Sequence, residues 1–376
     1  MMNMNTLENR FICDYGLTHI NNAFFKTLIK KQAYSLFGIK TEDWSDEILT
    51  NGQLTQMGVA FYITPLINAL IRVGSQLEKE KLFLAFFNGN TQVKSTKRGT
   101  GKDEIEELAE QVARICSNAK AKQNKEKEKA IDLLNIQISE NCLDENKVLI
   151  LRADELDIPN TLTGLCAMGV AAEHKKPVIL GRISPDGFLK GSIRGREESE
   201  LKDFRGVLLK SGLMEFVEGH ANAAGLSVKE KNIDKLQAFL NKELKDINFN
   251  EGFYEADFIV NGNCSYLATL IDEIDNGKHL FGQQNKEPVI VVENISLPAQ
   301  GYNVIGSNKD TVRFEFNGIT YIKFKAKDLI EQLNSYKGSL KLTAAGKLKI
   351  NEWGGRRKPQ ILIDEIEIRE NTIYEF

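Results

Sequence analysis

The sequence has little that would mark a metal centre, a secreted protein or a membrane protein. Its five cysteines, Cys13, Cys116, Cys142, Cys166 and Cys264, are scattered and form no Cys-x-x-Cys pair. That argues against a zinc site and for reduced thiols in the cytoplasm. There are only four histidines, His19, His174, His220 and His279, and none adjoins an Asp or another His. No Asp-x-Asp occurs. The acidic pairs Glu42-Asp43, Asp46-Glu47, Asp154-Glu155 and Asp272-Glu273 read as solvated surface, because no His accompanies them. The first residues, MMNMNTLENRF, lack the apolar stretch of a signal peptide. The most apolar run, residues 59–70, is broken by Thr64, Pro65 and Asn68, and reads as too short to span a bilayer. Bulk charge is also missing: the net charge over 376 residues is -3, so any nucleic-acid signal has to be local.

What is present is an ordered series of elements. Residues 1–90 read as mainly helical, with Val59, Ile63, Ile67, Leu70 and Ile71 at helical spacing and Pro65 in a first turn or kink. After a loop at 94–101, Asp103 and Glu106 fit a capping box that opens a helix near residue 103. The stripe Ile105, Leu108, Val112, Ile115 and Ala119, and the charged run beyond it, predict a long connecting helix. KVLILR (147–152) and PVILG (177–181) are strand candidates around an apolar, helix-like 162–173, the order of an α/β domain with parallel pairing. Asn232 can cap a helix whose stripe is Ile233, Leu236, Phe239, Leu240 and Leu244.

The tail changes character near residue 251. Val312, Phe314 and Phe316 alternate with polar residues, Asn317-Gly318 signals a tight hairpin, and Thr320, Ile322 and Phe324 alternate back. Leu340/Leu342 and Leu348/Ile350 flank Ala344-Ala345-Gly346, which reads as a second hairpin, and Ile361, Ile363 and Ile366 as a further strand. The tail is thus a small antiparallel β domain of barrel type. Residues 301–360 hold twelve Lys and Arg against five Asp and Glu, with Tyr302, Tyr321, Tyr336 and Trp353 interleaved. Basic strands with stacking rings suit a single-strand groove, here Tyr321, Lys323, Lys325, Trp353, Arg356, Arg357 and Lys358; a solvated strand face with core aromatics has the same composition.

One further motif is dense in tiny residues around a single His: Glu218-Gly219-His220-Ala221-Asn222-Ala223-Ala224-Gly225. Glycines let backbone amides approach an anion, and a His can donate to phosphate. The motif resembles the Gly-Gly-His-x-x-Ala-Ala-Gly signature of the DHH-associated domain in DHH phosphoesterases, departing at Glu218. Other pieces follow in the order of a RecJ-type single-strand DNA exonuclease. FYITPLINALIRVG (61–74) resembles its Pro-Arg-Ile-Asn-Ala-x-Gly-Arg stretch, with Pro65, Ile67, Asn68, Ala69 and Arg72 matching and Leu66 and Ile71 departing. NTLTGL (160–165), GSIR (191–194), FGQQNKEP (281–288) and NEWGGRRKPQ (351–360) resemble later family segments. The collinear set covers nearly the whole chain.

The resemblance implies an α/β fold in three parts. These are the end of a DHH domain with a connecting helix (1–135), an α/β DHH-associated domain (136–250) and an OB-like nucleic-acid-binding domain (251–376). It implies that Gly219, His220, Asn222, Gly225, Arg194, Ser192, Arg72 and Asn68 bind substrate phosphate. It implies single-stranded DNA as partner, degraded 5′ to 3′ by an enzyme with two Mn²⁺ or Mg²⁺ ions. The Asp-His-His and aspartate ligands for those ions are not found here, so no catalytic or metal residue is assigned and this chain binds no cofactor on this reading. Residues 1–16 resemble the stretch just after the last such aspartate, so a separately encoded or missing metal-binding half is a possible partner. The rivals are a non-catalytic single-strand-binding or regulatory protein and a small-nucleotide phosphoesterase of the same superfamily.

Overall fold

A computed structural model describes residues 3–50, 54–99, 101, 103–250, 255–353 and 356–370, apart from the side chains of Trp353, Arg356 and Glu370. The described residues up to 90 are mainly helical: α1 (Leu7–Thr18), α2 (Ala23–Lys31), α3 (Ala33–Phe37), α4 (Glu47–Thr50), α5 (Gln56–Gly58), α6 (Thr64–Val73) and α7 (Gln76–Asn88). A π-helical turn, Val59–Ile63, joins α5 to α6. Pro65 therefore lies inside a helical run and does not break it. The run Gln56–Val73, 22% buried, is long and apolar enough by length and composition to cross a membrane, which corrects the reading of this stretch as too short.

The predicted helix start near residue 103 is also corrected. Strands β1 (Gln92–Lys94) and β2 (Ile105–Glu107) pair antiparallel, and α8 (Leu108–Glu140) begins after them. Glu106 is no capping residue. It is buried and bonded to Arg114, with Arg114 Nη2 2.6 Å and Gln111 Nε2 3.1 Å from its Oε1. At 33 residues, α8 is the long helix the charged run predicted, and it passes through the expected boundary at 135.

The next elements are β3 (Leu149–Arg152), α9 (Thr163–His174), β4 (Val178–Ile183), β5 (Phe188–Arg194), α10 (Phe204–Lys210), β6 (Met214–His220), β7 (Ala223–Lys229) and α11 (Ile233–Glu243). The chain closes with β8 (Phe258–Asn261), α12 (Leu267–Asn276), β9 (Val289–Leu297), β10 (Tyr302–Ile305), β11 (Thr311–Phe316), β12 (Ile319–Lys323), α13 (Lys327–Ser335), β13 (Leu340–Trp353) and β14 (Arg356–Glu370).

Contacts divide the chain into two units, one of Met1–Thr64 with Tyr254–Phe376 and one of Pro65–Phe253. The second unit holds a five-stranded sheet in the order β3-β4-β5-β7-β6, with β3 and β4 parallel and the rest antiparallel. Leu149, Leu151, Val178 and Leu180 face α8 and α9 through Leu134, Cys166, Ala167 and Val170. Val148, Ile179, Leu189 and Ile193 face α10 and α11 through Phe204, Leu236 and Leu240. Alternation along each strand thus loads both faces, as a sheet covered on both sides requires.

The first unit holds a seven-stranded sheet in the order β10-β11-β12-β14-β13-β9-β8. It is mixed, since β12/β14 and β8/β9 run parallel, which corrects the antiparallel expectation. Asn317 (φ 49°) and Gly318 (φ 77°) make the predicted tight turn between β11 and β12. Ala344-Ala345-Gly346 is not a turn. The strand β13 runs through it with a bulge between Ala345 and Gly346, and a Cβ on Gly346 would lie 2.1 Å from the Leu362 carbonyl oxygen. That glycine marks close backbone approach in a bulged ladder.

Candidate nucleic-acid interface

In the second unit, strand register carries the expected residues to one face. Arg194 lies opposite Ala223, which lies opposite His220; Ser192 lies opposite Gly225, which lies opposite Glu218. Residues opposite each other share a face, as do residues two apart, so Arg194, Ser192, Gly225, Glu218 and His220 all lie on the side covered by α9. The start of α9 sits directly on them. Thr163 Oγ1 is 3.4 Å from Ser192 Oγ, and a Cβ on Gly164 would lie 2.6 Å from Arg194 Nη2. A Cβ on Gly225 would meet nothing closer than 3.8 Å, so this glycine leaves space beside Ser192.

Other cations converge here. Burial, and then the charge of Arg72, hold the Arg194 guanidinium below its ordinary pKa. Burial, then Lys127 and Arg72, likewise pull Lys120 down. Arg72 ends α6, and Lys122 Nζ donates to the Val73 carbonyl at 3.3 Å, which fixes α8 against that end. Gly169 lets α9 approach α8, since a Cβ there would be 2.3 Å from Ile131 Cδ1. Lys127 then acts on Cys166, whose thiol burial pushes up to about 11. Gln123 is buried; its Oε1 accepts from Lys120 Nζ at 3.5 Å, and its Nε2 has no partner among the described residues. Glu218, opposite Gly225, is the carboxylate that the register places on the same face, and it is exposed. The site is a partly desolvated set of like charges and donors, which an anion would relieve. Beside it, Asn160, Thr163, Arg182, Lys190 and Ser192 line a cleft of about 480 Å³.

Sequence reading missed Lys120, Gln123 and Lys127 because they lie in a run read as a solvated connector. The available signal was Gln123, a polar residue four positions beyond Ala119 on the apolar stripe.

The remaining motif residues divide. Gly219, at φ +137°, is required by the fold, since a Cβ would lie 2.7 Å from Ala224 Cα, and its carbonyl accepts from Arg205 at 2.8 Å. Asn222 is engaged internally, its Nδ2 donating to the Lys202 carbonyl at 3.1 Å and its Oδ1 accepting from the Phe204 amide at 3.4 Å. His220 is exposed. Asn68 is half-buried, one helical turn before Arg72.

The tail residues expected in a groove divide. Tyr321 is fully buried and stacked on Phe314, with centroids 5.0 Å apart and planes at 4°. It is core, which corrects its assignment. Burial raises its phenol pKa, and its hydroxyl has no partner among the described residues. Lys323 Nζ donates to the Asp364 carbonyl. Arg357 is held by carboxylates, with Nε 2.8 Å from Glu352 Oε1 and Nη2 3.2 Å from Asp272 Oδ1. Lys325 and Lys358 are exposed. The Trp353 and Arg356 side chains lie outside the described residues.

Comparison with known proteins fits this architecture. Residues 266–365 match the RecJ OB domain. The chain is 37% identical over 367 residues to the SPbeta prophage-derived single-strand DNA-specific exonuclease YorK of Bacillus subtilis, an alignment spanning 96% of this chain and 61% of YorK. The chain is thus similar to single-strand DNA-specific exonucleases along nearly its whole length. The single-stranded-DNA-specific exonuclease RecJ of Bacillus subtilis is 24% identical over 98% of this chain and 42% of its own length. Crystal structures of Thermus thermophilus RecJ with Mn²⁺ and with Mg²⁺ share the fold, each with a TM-score of 0.62, at 19% and 18% identity, covering 96% of this chain and under half of theirs. The chain spans about three-fifths or less of these relatives. Among the described residues no group of three or more His, Cys, Asp or Glu side chains could hold a metal ion. The donor set of those residues does not fit a divalent cation.

Proposed function

We propose that this chain is the strand-gripping portion of a RecJ-like single-strand DNA exonuclease acting 5′ to 3′ in the cytoplasm. In this reading, residues 1–135 are the end of a DHH domain with its connecting helix, and a DHH-associated domain, 136–250, holds a phosphate through Arg194 and Ser192 with Arg72 and Lys120, while His220 reaches the same phosphate from the strand edge. Residues 251–376 hold the single strand. The observation that carries the reading is the packing of Ser192 and Arg194 against the start of α9, with Arg72 near enough to act on both Arg194 and Lys120. The metal chemistry would come from a further segment. In support, α1 exposes Leu7, Phe11, Ile12 and Tyr15, and α7 separately exposes Leu77, Phe83 and Phe87, and clustered exposed apolar side chains mark contact surfaces.

The test is fluorescence anisotropy with single-stranded oligonucleotides carrying a 5′-phosphate, a 3′-phosphate or neither. Tighter binding of the 5′-phosphorylated strand is expected. Equal affinity for all three would remove the phosphate site.

A further inference from the structure

In the unit formed by Met1–Thr64 and Tyr254–Phe376, residues 55–62 lie against the OB domain. Gln56 Nε2 donates to the Phe281 carbonyl at 2.6 Å, and the approach needs a glycine at 282, where a Cβ would fall 1.5 Å from that nitrogen. The Met4 amide donates to the Gln283 carbonyl at 2.9 Å, so the same loop is held twice. Between this segment and β13 opens a cleft of about 370 Å³, the size of a small-ligand site. The π-helical turn Val59–Ile63 buries Ile63 but leaves Phe61 66% and Tyr62 43% exposed, and both rings line the cleft. π-turns displace side chains from helical register and recur at functional sites. Opposite the rings stand Lys347 and Lys349, two apart on β13 and so on one face, with Lys278 beside them. Lys349 pairs with Glu287 at 2.5 Å and Lys278 with Asp275 at 3.3 Å, while Lys347 has no ion-pair partner among the described residues.

We infer that this cleft is a nucleotide subsite for single-stranded DNA: a base stacks on Phe61 or Tyr62 and its phosphate meets Lys347. Bare rings facing a free cation across a strand of an OB domain are the two elements of sequence-tolerant single-strand binding. The inference rests on the proposed strand grip and locates it at residues that the tail's composition did not mark.

The experiment uses the full chain and oligonucleotides containing 2-aminopurine, whose fluorescence falls on stacking. Wild type should bind with quenching. Phe61→Ala and Tyr62→Ala, with melting temperatures checked against wild type, should together weaken binding roughly 5- to 150-fold and abolish the quench. Lys347→Gln should reduce the log–log salt slope by about 0.7. Unchanged affinity and quenching in the ring variants, with wild type still binding, would overturn the subsite while leaving the strand grip intact. Absence of binding by wild type would overturn both. A change in sedimentation without a change in quenching would assign the rings to a protein contact and equally overturn the proposal.

Discussion

Replacing Arg194 by Met separates a phosphate ligand from a packing residue. The guanidinium sits half-buried at the end of β5, with Nη1 donating to the Ile193 carbonyl at 2.6 Å and Nη2 beside Gly164. Its folded pKa is lowered, first by burial and then by Arg72, so folding disfavours its charged form. Removing that charge therefore relieves the fold, and Met keeps most of the apolar stem. The melting temperature should stay level or rise. Binding should move the other way. A charged hydrogen bond is worth roughly 1.5–3 kcal/mol, so affinity for a terminally phosphorylated strand should fall about 10- to 150-fold. An unphosphorylated strand should lose far less. Arg194→Lys should restore part of the loss, since charge returns without the planar fork. Anisotropy titrations and thermal melts on the same preparations decide the matter. A melting temperature lowered by several degrees with phosphate preference intact would make Arg194 structural and refute the reasoning.

Three further outcomes follow from particular contacts. Tyr321→Phe should leave stability unchanged or slightly raised, since the buried hydroxyl has no partner among the described residues, whereas Tyr321→Ala should cost roughly 3–5 kcal/mol in denaturant unfolding; an effect on DNA affinity without loss of stability would return Tyr321 to a groove. The Arg114 hydrogen bond holds the Glu106 carboxyl well below the usual carboxylate range, so its contribution is present above about pH 4.3 and lost as pH falls below it. Glu106→Gln should cost about 2 kcal/mol at neutral pH, less than the roughly 3–5 of a fully buried pair because Arg114 keeps 24% exposure, and the difference from wild type should shrink in acid-unfolding curves. Purified chain with Mn²⁺ should release no mononucleotides from single-stranded DNA, given the donor set of the described residues; release that EDTA abolishes and that survives repurification would contradict this.

The fold was legible where local signals agree with long-range pairing. Asn317-Gly318 makes its turn, and the strand–helix–strand order around 147–181 gives a parallel pair. Tyr321 was misread through a one-residue slip. A two-residue turn pairs Phe316 with Ile319 and so Phe314 with Tyr321, which puts Tyr321, not Thr320 or Ile322, on the core face. Ala344-Ala345-Gly346 misled because tiny residues mark close backbone approach as readily as a turn. Glu106 misled because a capping pattern is local, whereas its partner Arg114 lies two turns along α8. Of the proposed phosphate site, Arg194, Ser192 and Arg72 came from motif resemblance. Lys120 and Lys127 could not be separated from other lysines of a charged helix without knowing which face α9 and α6 cover. The charge excess of the tail overstates its groove, because Arg357, Lys349 and Arg313 are paired internally.

The most direct measurement of the account is the salt dependence of the full chain's affinity for single-stranded against duplex DNA of equal length. If about four cations meet phosphates, the log–log slope for the single strand should be near −2.8, so raising salt from about 50 to about 200 mM should weaken binding roughly fifty-fold. Duplex should bind more weakly at each salt concentration, because its bases are not free to stack. Equal affinity for the two forms, or a slope near zero for the single strand, would contradict the claim that this chain grips single-stranded DNA.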